Sequence, residues 1–272
     1  MRSVSPERLA HSYRRASARR DRLWRVANGC FDGIWLGLLD GAALARLDER
    51  FYADGRDSLD GRTFSYTGSD HNLGGLHDWE AAAIGGHFAP GSRVVVTGAG
   101  AGREVIALVE RGFDAVGYEP NAALVAAGAA LVAERGRPGR LHACERDVFP
   151  PDASRCDALV VGWGSYMLIP GRARRLAFLR AARAALPDGA PLLCSFFVRP
   201  PGARYFSLVA RSANLTRRLR RSEAAELGDA LGPNYMHYFT RAEIESELSA
   251  GGFEMVAFAS EPYGHAIAVA GR

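Results

Sequence analysis

The chain has 272 residues, 48% of them hydrophobic and 24% charged, which is enough apolar surface for one sizeable core with an appendage. No apolar stretch approaches the ~20 residues that a membrane helix needs, and the first residues lack the apolar core of a secretory signal. The four cysteines form no C-x-x-C pair, so the sequence indicates neither a zinc site nor a disulfide framework. We therefore expect a cytoplasmic protein without a membrane span.

The net charge of +4 originates in an arginine-rich first segment. Residues 1–25 hold eight arginines against Glu7 and Asp21, and all 34 basic residues of the chain are arginine. This bias favours a compositional origin over selection for phosphate binding. A solvated helical tail is the simplest interpretation of the segment, and a lid helix, a membrane-surface helix, a targeting segment or a nucleic-acid contact are the alternatives.

The chain divides into three parts by pattern. Helical patterns cover 5–27 and 31–52, and a polar, glycine-bearing link follows over 54–80, so we expect 1–85 to form a helical N-terminal cap. From residue 91 apolar runs alternate with helical patterns, which is typical of a doubly wound α/β sheet. The predicted strands lie near 93–97, 114–118, 140–144, 157–161 and 191–197, with helices at 102–111, 121–135 and 171–186.

The alternation stops after the fifth predicted strand. An arginine-rich insertion covers 199–238, and we expect it to belong to the cap. A helix over 240–253 and two strands, 253–260 and 265–272, then complete the pattern. The short turn between those strands predicts a hairpin. The sequence therefore predicts a core domain over 86–272, built on a doubly wound, mostly parallel sheet with an antiparallel hairpin at its carboxyl-terminal end.

Three glycines at alternate positions follow the first of these strands. Gly98, Gly100 and Gly102 let the backbone turn tightly and approach a ligand that a Cβ would block. The nicotinamide fingerprint G-x-G-x-x-G needs a third glycine at 103, where this chain has Arg103. Glu119 ends the next strand, 21 residues after Gly98, and a carboxylate there can accept hydrogen bonds from both ribose hydroxyls of a nucleoside. The loop and Glu119 together indicate a site for an adenosine cofactor.

These motifs resemble class I S-adenosylmethionine (SAM)-dependent methyltransferases. The likeness rests on G-x-G-x-G followed by "REV", the acid Asp147 in "CERDVF", and the segments "LPDGAPLLCSF" and "HYFTRAEIESELSAGGFEMV", and it covers about residues 60–272. It implies a seven-stranded, Rossmann-like methyltransferase fold and SAM as cofactor, with Asp147 holding the adenine amino group. The implied cofactor-binding residues are Tyr66, Gly98, Ala99, Gly100, Gly102, Glu119, Pro120, Asp147, Val148, Gly162 and Trp163.

The end of the fourth predicted strand, "DALVVGWGSYMLIP", bears on the chemistry. It lacks the carboxylates that metal-assisted enzymes of this family carry there, so we expect no metal. It also lacks the proline motifs of the family members that methylate nucleobases. Methyl transfer is then a direct displacement that depends mainly on alignment, with a base only for a protonated acceptor. Trp163 is a candidate wall beside the sulfonium, and Tyr66 a candidate contact for the methionine carboxylate. The candidate catalytic residues are Tyr166, His71 and His237.

The sequence thus predicts transfer of a methyl group to the oxygen or nitrogen of a small-molecule acceptor. An RNA or protein methyltransferase that uses the arginine clusters at 14–25 and 217–221 is the main alternative. An NAD(P)-dependent oxidoreductase and a non-catalytic SAM-binding protein are two further alternatives. We expect a small molecule rather than a nucleic acid as partner, and the pattern leaves the oligomeric state open.

Overall fold

A computed structural model describes residues 6–54, 56–59, 62–136, 138–153 and 155–271 of the chain. The helices are α1 (Pro6–Leu38), α2 (Gly41–Asp54), α3 (Ser69–Asn72), α4 (Asp78–His87), α5 (Arg103–Glu110), α6 (Ala122–Glu134), α7 (Arg172–Ala185), α8 (Arg204–Arg220) and α9 (Arg241–Ala250). The strands are β1 (Arg56–Leu59), β2 (Arg62–Ser65), β3 (Arg93–Thr97), β4 (Asp114–Glu119), β5 (Leu141–Ala143), β6 (Ala158–Val161), β7 (Pro191–Phe196), β8 (Asp229–Leu231), β9 (Tyr235–His237), β10 (Phe253–Ala259) and β11 (Gly264–Ala270).

The chain forms two units. Met1–Asp40 and Pro201–Leu231 make up one, here called the helical unit, and Gly41–Pro200 with Gly232–Arg272 make up the other, the sheet unit. Among the described residues, no helix has the length and hydropathy that crossing a lipid bilayer requires.

A seven-stranded sheet organises the sheet unit, in the order β10-β11-β7-β6-β3-β4-β5. Strands β3 to β7 run parallel, whereas β11 is antiparallel to both β7 and β10. The predicted doubly wound sheet with an antiparallel hairpin is therefore confirmed. The β1–β2 hairpin lies within the stretch that the sequence pattern presented only as a polar link.

The central strands are apolar along their length because helices cover both faces of the sheet. Val95 belongs to a core cluster with Leu179 and Ile244, of α7 and α9. Its neighbours Val94 and Val96 face the other way, into a cluster that includes residues of α4 and α5. Successive strand residues point to opposite faces, so a single apolar run serves both layers, and the carboxyl ends of β3, β4 and β6 meet at one edge.

In the helical unit, α1 and α8 pack closely and run in the same direction. Gly29, Gly33 and Gly37 lie on the face of α1 that meets α8, and a Cβ at Gly33 would come within 2.5 Å of the Val209 carbonyl oxygen. The helix continues through residues 28–30, where the sequence pattern suggested a boundary. The physical reason is that Gly29 allows close packing of two helices and does not end the helix.

Candidate active site

The loop between β3 and α5 turns on three glycines. Gly98, Gly100 and Gly102 have φ of +62°, +57° and +93°, a region that residues with a Cβ rarely adopt. A Cβ at Gly98 would lie 2.3 Å from Ser165 Oγ, and one at Gly162 would lie 2.3 Å from the Gly98 carbonyl oxygen. A Cβ at Gly100, by contrast, would meet no atom within 4 Å. The loop therefore packs tightly against the segment after β6 and leaves open space at Gly100.

Glu119, the last residue of β4, is a buried carboxylate oriented by backbone amides. Its Oε2 accepts a hydrogen bond from the Gly100 amide at 2.9 Å, and its Oε1 accepts one from the Asn121 amide at 2.8 Å. Each oxygen keeps a further lone pair for a ligand. Burial raises the pKa of Glu119 to about 7, although both amide bonds oppose the shift. The geometry suits acceptance of two hydroxyl hydrogen bonds.

Asp147 follows β5 and has a φ of +60°, an uncommon conformation that aspartate tolerates better than most residues. Burial raises the pKa of Asp147 to about 6, and the adjacent guanidinium of Arg146 opposes this shift. Arg146 Nη1 donates to Asp48 Oδ2 at 2.6 Å, and Asn234 Nδ2 donates to Asp48 Oδ1 at 2.7 Å. The ion pair therefore connects α2 to the loop that carries Asp147.

These groups line one cleft at the carboxyl edge of the sheet. Its empty volume, including the part open to solvent, is about 980 Å³. Gly102 and Gly162 are not among its lining residues; Gly102 is the N-cap of α5, and Gly162 packs against Gly98. The other predicted cofactor residues all line the cleft, together with the candidate base His71: Tyr66, Gly98, Ala99, Gly100, Glu119, Pro120, Asp147, Val148 and Trp163.

Two of the three candidate catalytic residues do not line this cleft. Tyr166 is fully buried, and its hydroxyl donates to Glu247 Oε2 at 2.7 Å. Glu247 is also the partner of the buried Arg175, whose Nη2 lies 2.7 Å from Oε1. Burial, followed by the Glu247 charge, raises the pKa of Tyr166 well above its usual value. His237 is buried with its ring 4.5 Å from that of Phe239. Neither side chain reaches the cleft that Gly100, Glu119 and Asp147 line, so the acid–base roles of Tyr166 and His237 stay predictions.

The variant Tyr166→Phe tests this point. It removes one hydrogen bond to a carboxylate that keeps its arginine partner, so we expect a loss of about 1–2 kcal/mol of unfolding free energy. Turnover of an identified acceptor should stay within about twofold of the parent. A loss of turnover of about a hundredfold or more with unchanged cofactor affinity, which is the size typical of a removed general acid or base, would restore Tyr166 as a catalytic residue.

His71 belongs to an aromatic cluster at the same end of the cleft as Trp163. Its ring stacks on Phe64 with 4.2 Å between centroids and 9° between planes. The rings of Tyr66 and Trp163 lie 5.6 and 6.3 Å away. Phe64 and Tyr66 come from β2 and the residue after it, so the hairpin supplies two of these rings. Of the three predicted catalytic residues, His71 is the one that the structure places beside the glycine loop.

Sequence reasoning missed a buried ion network beneath this cluster. Arg103 pairs with both oxygens of Glu80, at 2.7 Å each, and with Glu104 Oε1 at 2.8 Å. Glu104 Oε1 in turn accepts a hydrogen bond from the Trp163 amide at 2.9 Å. Burial alone would lower the pKa of Arg103, but Glu104 and Glu80 raise it above its usual value. The sequence held one sign of this network: an arginine stands where the nicotinamide fingerprint has its third glycine. On its own, that residue argues only against the fingerprint.

Residues from α2 were also missed as site residues. Asp48 and Tyr52 line the cleft, and Asn121 Nδ2 donates to the Glu49 carbonyl oxygen at 3.0 Å, which joins α2 to the start of α6. Burial and the Asp48 charge raise the pKa of Tyr52 well above its usual value. Asp48 and Tyr52 are four residues apart and share one face of the helix, a pattern that could have indicated a polar face turned to a site.

The strand order, the antiparallel hairpin and the position of the cleft define the class I SAM-dependent methyltransferase fold. One similar solved structure is a SAM-dependent methyltransferase from Methanosarcina mazei, with a TM-score of 0.57, 17% identity, and coverage of 72% of this chain and 99% of that one. Another is a SAM-bound amino pentose methyltransferase of calicheamicin biosynthesis from Micromonospora echinaspora, with a TM-score of 0.52, 19% identity, and coverage of 78% of this chain and 99% of that one. A third is magnesium protoporphyrin IX methyltransferase from Synechocystis with bound S-adenosylhomocysteine (SAH), with a TM-score of 0.52, 16% identity, and coverage of 83% of this chain and 94% of that one.

At these identities the likeness establishes the fold. No protein-family model matches the sequence, and no curated protein matches it at a significant level.

Proposed function

We propose that the protein is a methyltransferase that binds SAM and transfers its methyl group to the oxygen or nitrogen of a small molecule. One observation carries the cofactor assignment: Gly100, Glu119 and Asp147 line the same cleft, with open space at Gly100, a buried carboxylate at Glu119 and a half-buried one at Asp147. Two similar structures contain SAM or SAH, which supports the same assignment. SAM supplies an electrophilic methyl group on a sulfonium.

Different residues of the cleft are proposed to bind the ribose, adenine and methionine parts of SAM. Glu119 accepts hydrogen bonds from the ribose hydroxyls, and Asp147 accepts one from the adenine amino group. The glycine loop allows the backbone to approach the nucleoside, since a Cβ at Gly100 would fill the open space. Trp163 and Tyr66 stand at the methionine end, where the face of an aromatic ring helps to hold positive charge.

The acceptor site is proposed beside the aromatic cluster of Phe64, Tyr66, His71 and Trp163. These rings exclude water and align a partly apolar acceptor, and alignment supplies most of the acceleration of a direct displacement. His71 takes a proton from an acceptor that arrives protonated, because histidine titrates near neutral pH. We propose no metal, since the segment after β6 reads Gly-Trp-Gly and offers no carboxylate. The pentose and porphyrin enzymes among similar structures also act on small molecules, as their names state.

We propose that residues 1–85 and the 199–238 insertion together form a cap. Within the predicted cap, residues 41–85 belong to the sheet unit and contribute Tyr52, Tyr66 and His71 to the cleft. We propose that this part selects the acceptor. A polymer substrate that binds to the arginine clusters is the competing proposal, and it predicts substrate affinity that falls steeply with salt.

Calorimetry with SAH, with NAD as the control ligand, tests the cofactor assignment. We expect SAH to bind and NAD to show no heat. Glu119→Ala should weaken SAH binding by about 1–3 kcal/mol, because the ribose hydroxyls lose a paired acceptor. Binding of NAD in place of SAH, or near-parent SAH affinity in Glu119→Ala, would contradict the proposal.

The pH dependence of SAH affinity provides a sharper test. The pKa of Glu119 is raised to about 7, so below that pH the empty site holds a proton that must leave before the carboxylate accepts two hydroxyls. Affinity should therefore rise with pH and level off above pH 7, with a slope of up to about tenfold per pH unit between pH 6 and pH 7. Glu119→Gln should abolish the step near pH 7 and keep the one that Asp147 produces near pH 6. Asp147→Asn should do the reverse, and an unchanged profile in both variants would refute the assignment.

A further inference from the structure

Large exposed apolar side chains are concentrated on the helical unit. Of the thirteen such side chains among the described residues, ten lie in this unit, although it holds only residues 1–40 and 201–231. Trp24 and Phe31 of α1 are each 63% exposed, and Leu219 of α8 is 83% exposed. Single exposed apolar residues are ordinary, whereas a concentration of this kind marks an interaction surface.

The exposed residues of α1 form a stripe. Trp24, Phe31 and Leu38 are spaced by seven residues, which is close to two helical turns and places them on one face. Trp35 packs edge-on against Phe31 with 6.2 Å between ring centroids and extends the same face. The glycine face of α1, by contrast, packs on α8. We call Trp24, Phe31, Ile34, Trp35 and Leu38 the aromatic stripe.

The helical unit is strongly basic. It contains fourteen arginines and seven acidic residues, a formal charge of +7, whereas the rest of the chain carries −3 because the whole chain carries +4. At the carboxyl end of α8, Arg217 Nη2 donates to the Leu36 carbonyl oxygen at 3.2 Å, and Arg220 donates to that of Leu38. Basic groups therefore stand at the Leu38 end of the aromatic stripe, and the adjacent Arg218 and Arg221 are exposed.

We propose that the helical unit docks on an anionic lipid surface, with the aromatic stripe entering the headgroup region and the arginines of α8 binding lipid phosphates. Tryptophan and phenylalanine beside arginine is the composition of helices that lie in a membrane interface. Each basic residue near an anionic surface adds to the attraction, and guanidinium groups bind phosphate in a bidentate manner. A second copy of the chain is a poorer occupant, because it would bring a charge of +7 against another +7. The proposal does not depend on the methyl acceptor.

The full chain is tested by co-sedimentation with vesicles. We expect binding to vesicles of equal parts phosphatidylglycerol and phosphatidylcholine, and binding at least about tenfold weaker to phosphatidylcholine alone. Raising the NaCl concentration should weaken binding to the anionic vesicles, because salt screens the attraction. Equal binding to both kinds of vesicle, or none to either, would overturn the proposal.

Two matched variants locate the surface. The double variant Trp24→Ser, Phe31→Ser should weaken binding to the anionic vesicles by at least about tenfold, because it removes two rings that the lipid headgroup region would bury. Val256→Ser, which alters an exposed apolar residue of β10 in the sheet unit, should leave binding unchanged. Both variants should unfold at the parent temperature, because the substituted side chains are exposed. Parent-like vesicle binding by the double variant refutes the assignment of the stripe. A parent dimer that this variant dissociates, with no vesicle binding by either, assigns the surface to a second copy and also refutes the proposal.

Discussion

Replacing Arg103 by alanine should lower the free energy of unfolding by about 3–5 kcal/mol. Arg103 is the cation between two carboxylates, Glu80 and Glu104, and the exposed fractions of the three side chains are 4%, 3% and 6%. The substitution leaves two negative charges buried without the guanidinium that compensates them. Arg103→Lys should also destabilise, because an ammonium cannot replace the two-pronged contact with Glu80.

Urea unfolding of the purified variants measures this effect. Arg135→Ala is the matched control: Arg135 pairs with Glu110 at 2.9 Å, but both side chains are about half exposed. An exposed pair of this kind contributes about 0–1 kcal/mol. Adding Glu80→Gln to Arg103→Ala should recover part of the loss, since it removes one of the uncompensated charges. Similar losses of unfolding free energy in Arg103→Ala and Arg135→Ala would contradict the prediction that burial makes the Arg103 pair the more stabilising one.

Replacing Gly100 by valine should weaken SAH binding by about 10- to 100-fold, the equivalent of about 1–3 kcal/mol of overpacking. The Cβ of residue 100 would project into the space left open in the loop, and the amide of the same residue orients Glu119 at 2.9 Å. The new side chain would therefore occupy the space proposed for the cofactor and strain the turn whose amide orients Glu119.

Gly112→Val separates occupation of the cleft from backbone strain. Gly112 also has a positive φ, +87°, and also has no atom within 4 Å of an added Cβ, but it does not line the cleft. Both variants carry a comparable conformational cost, so both should lose comparable unfolding free energy. Calorimetry should show a loss of SAH affinity for Gly100→Val only. Equal SAH affinities for the two variants would contradict the assignment of the glycine loop to the cofactor site.

The sheet was predictable from sequence because its strands are buried on both sides. Such strands are short apolar runs between turn residues, so the predicted ranges agree with β3, β4, β6 and β7 to within a few residues. The helix boundary near residue 29 was not predictable, since Gly29 serves a contact with α8, and that contact joins segments about 180 residues apart. Local pattern carries no information on such pairing.

The cleft was predictable in part for the same reason. Gly98, Gly100, Glu119 and Asp147 lie at or shortly after strand ends, and parallel strands bring their ends to one edge. Arg103 and Glu80 were missed as a pair because one begins α5 and the other lies in α4, and nothing in either segment indicates the other. The burial of Tyr166 was not predictable for a similar reason, since its partner Glu247 lies 81 residues further along the chain.

The position of β11 within the sheet has a consequence for the order of assembly during synthesis. The strand β10 has no contact with β7 except through β11, which lies between the two and is made after both. Five parallel strands can therefore pair while the chain is still growing, but β10 must wait as an unpaired strand until residues 264–270 are available. Contacts that join distant segments form slowly. During this interval β7 presents an unpaired edge, and such an edge can pair incorrectly with another chain.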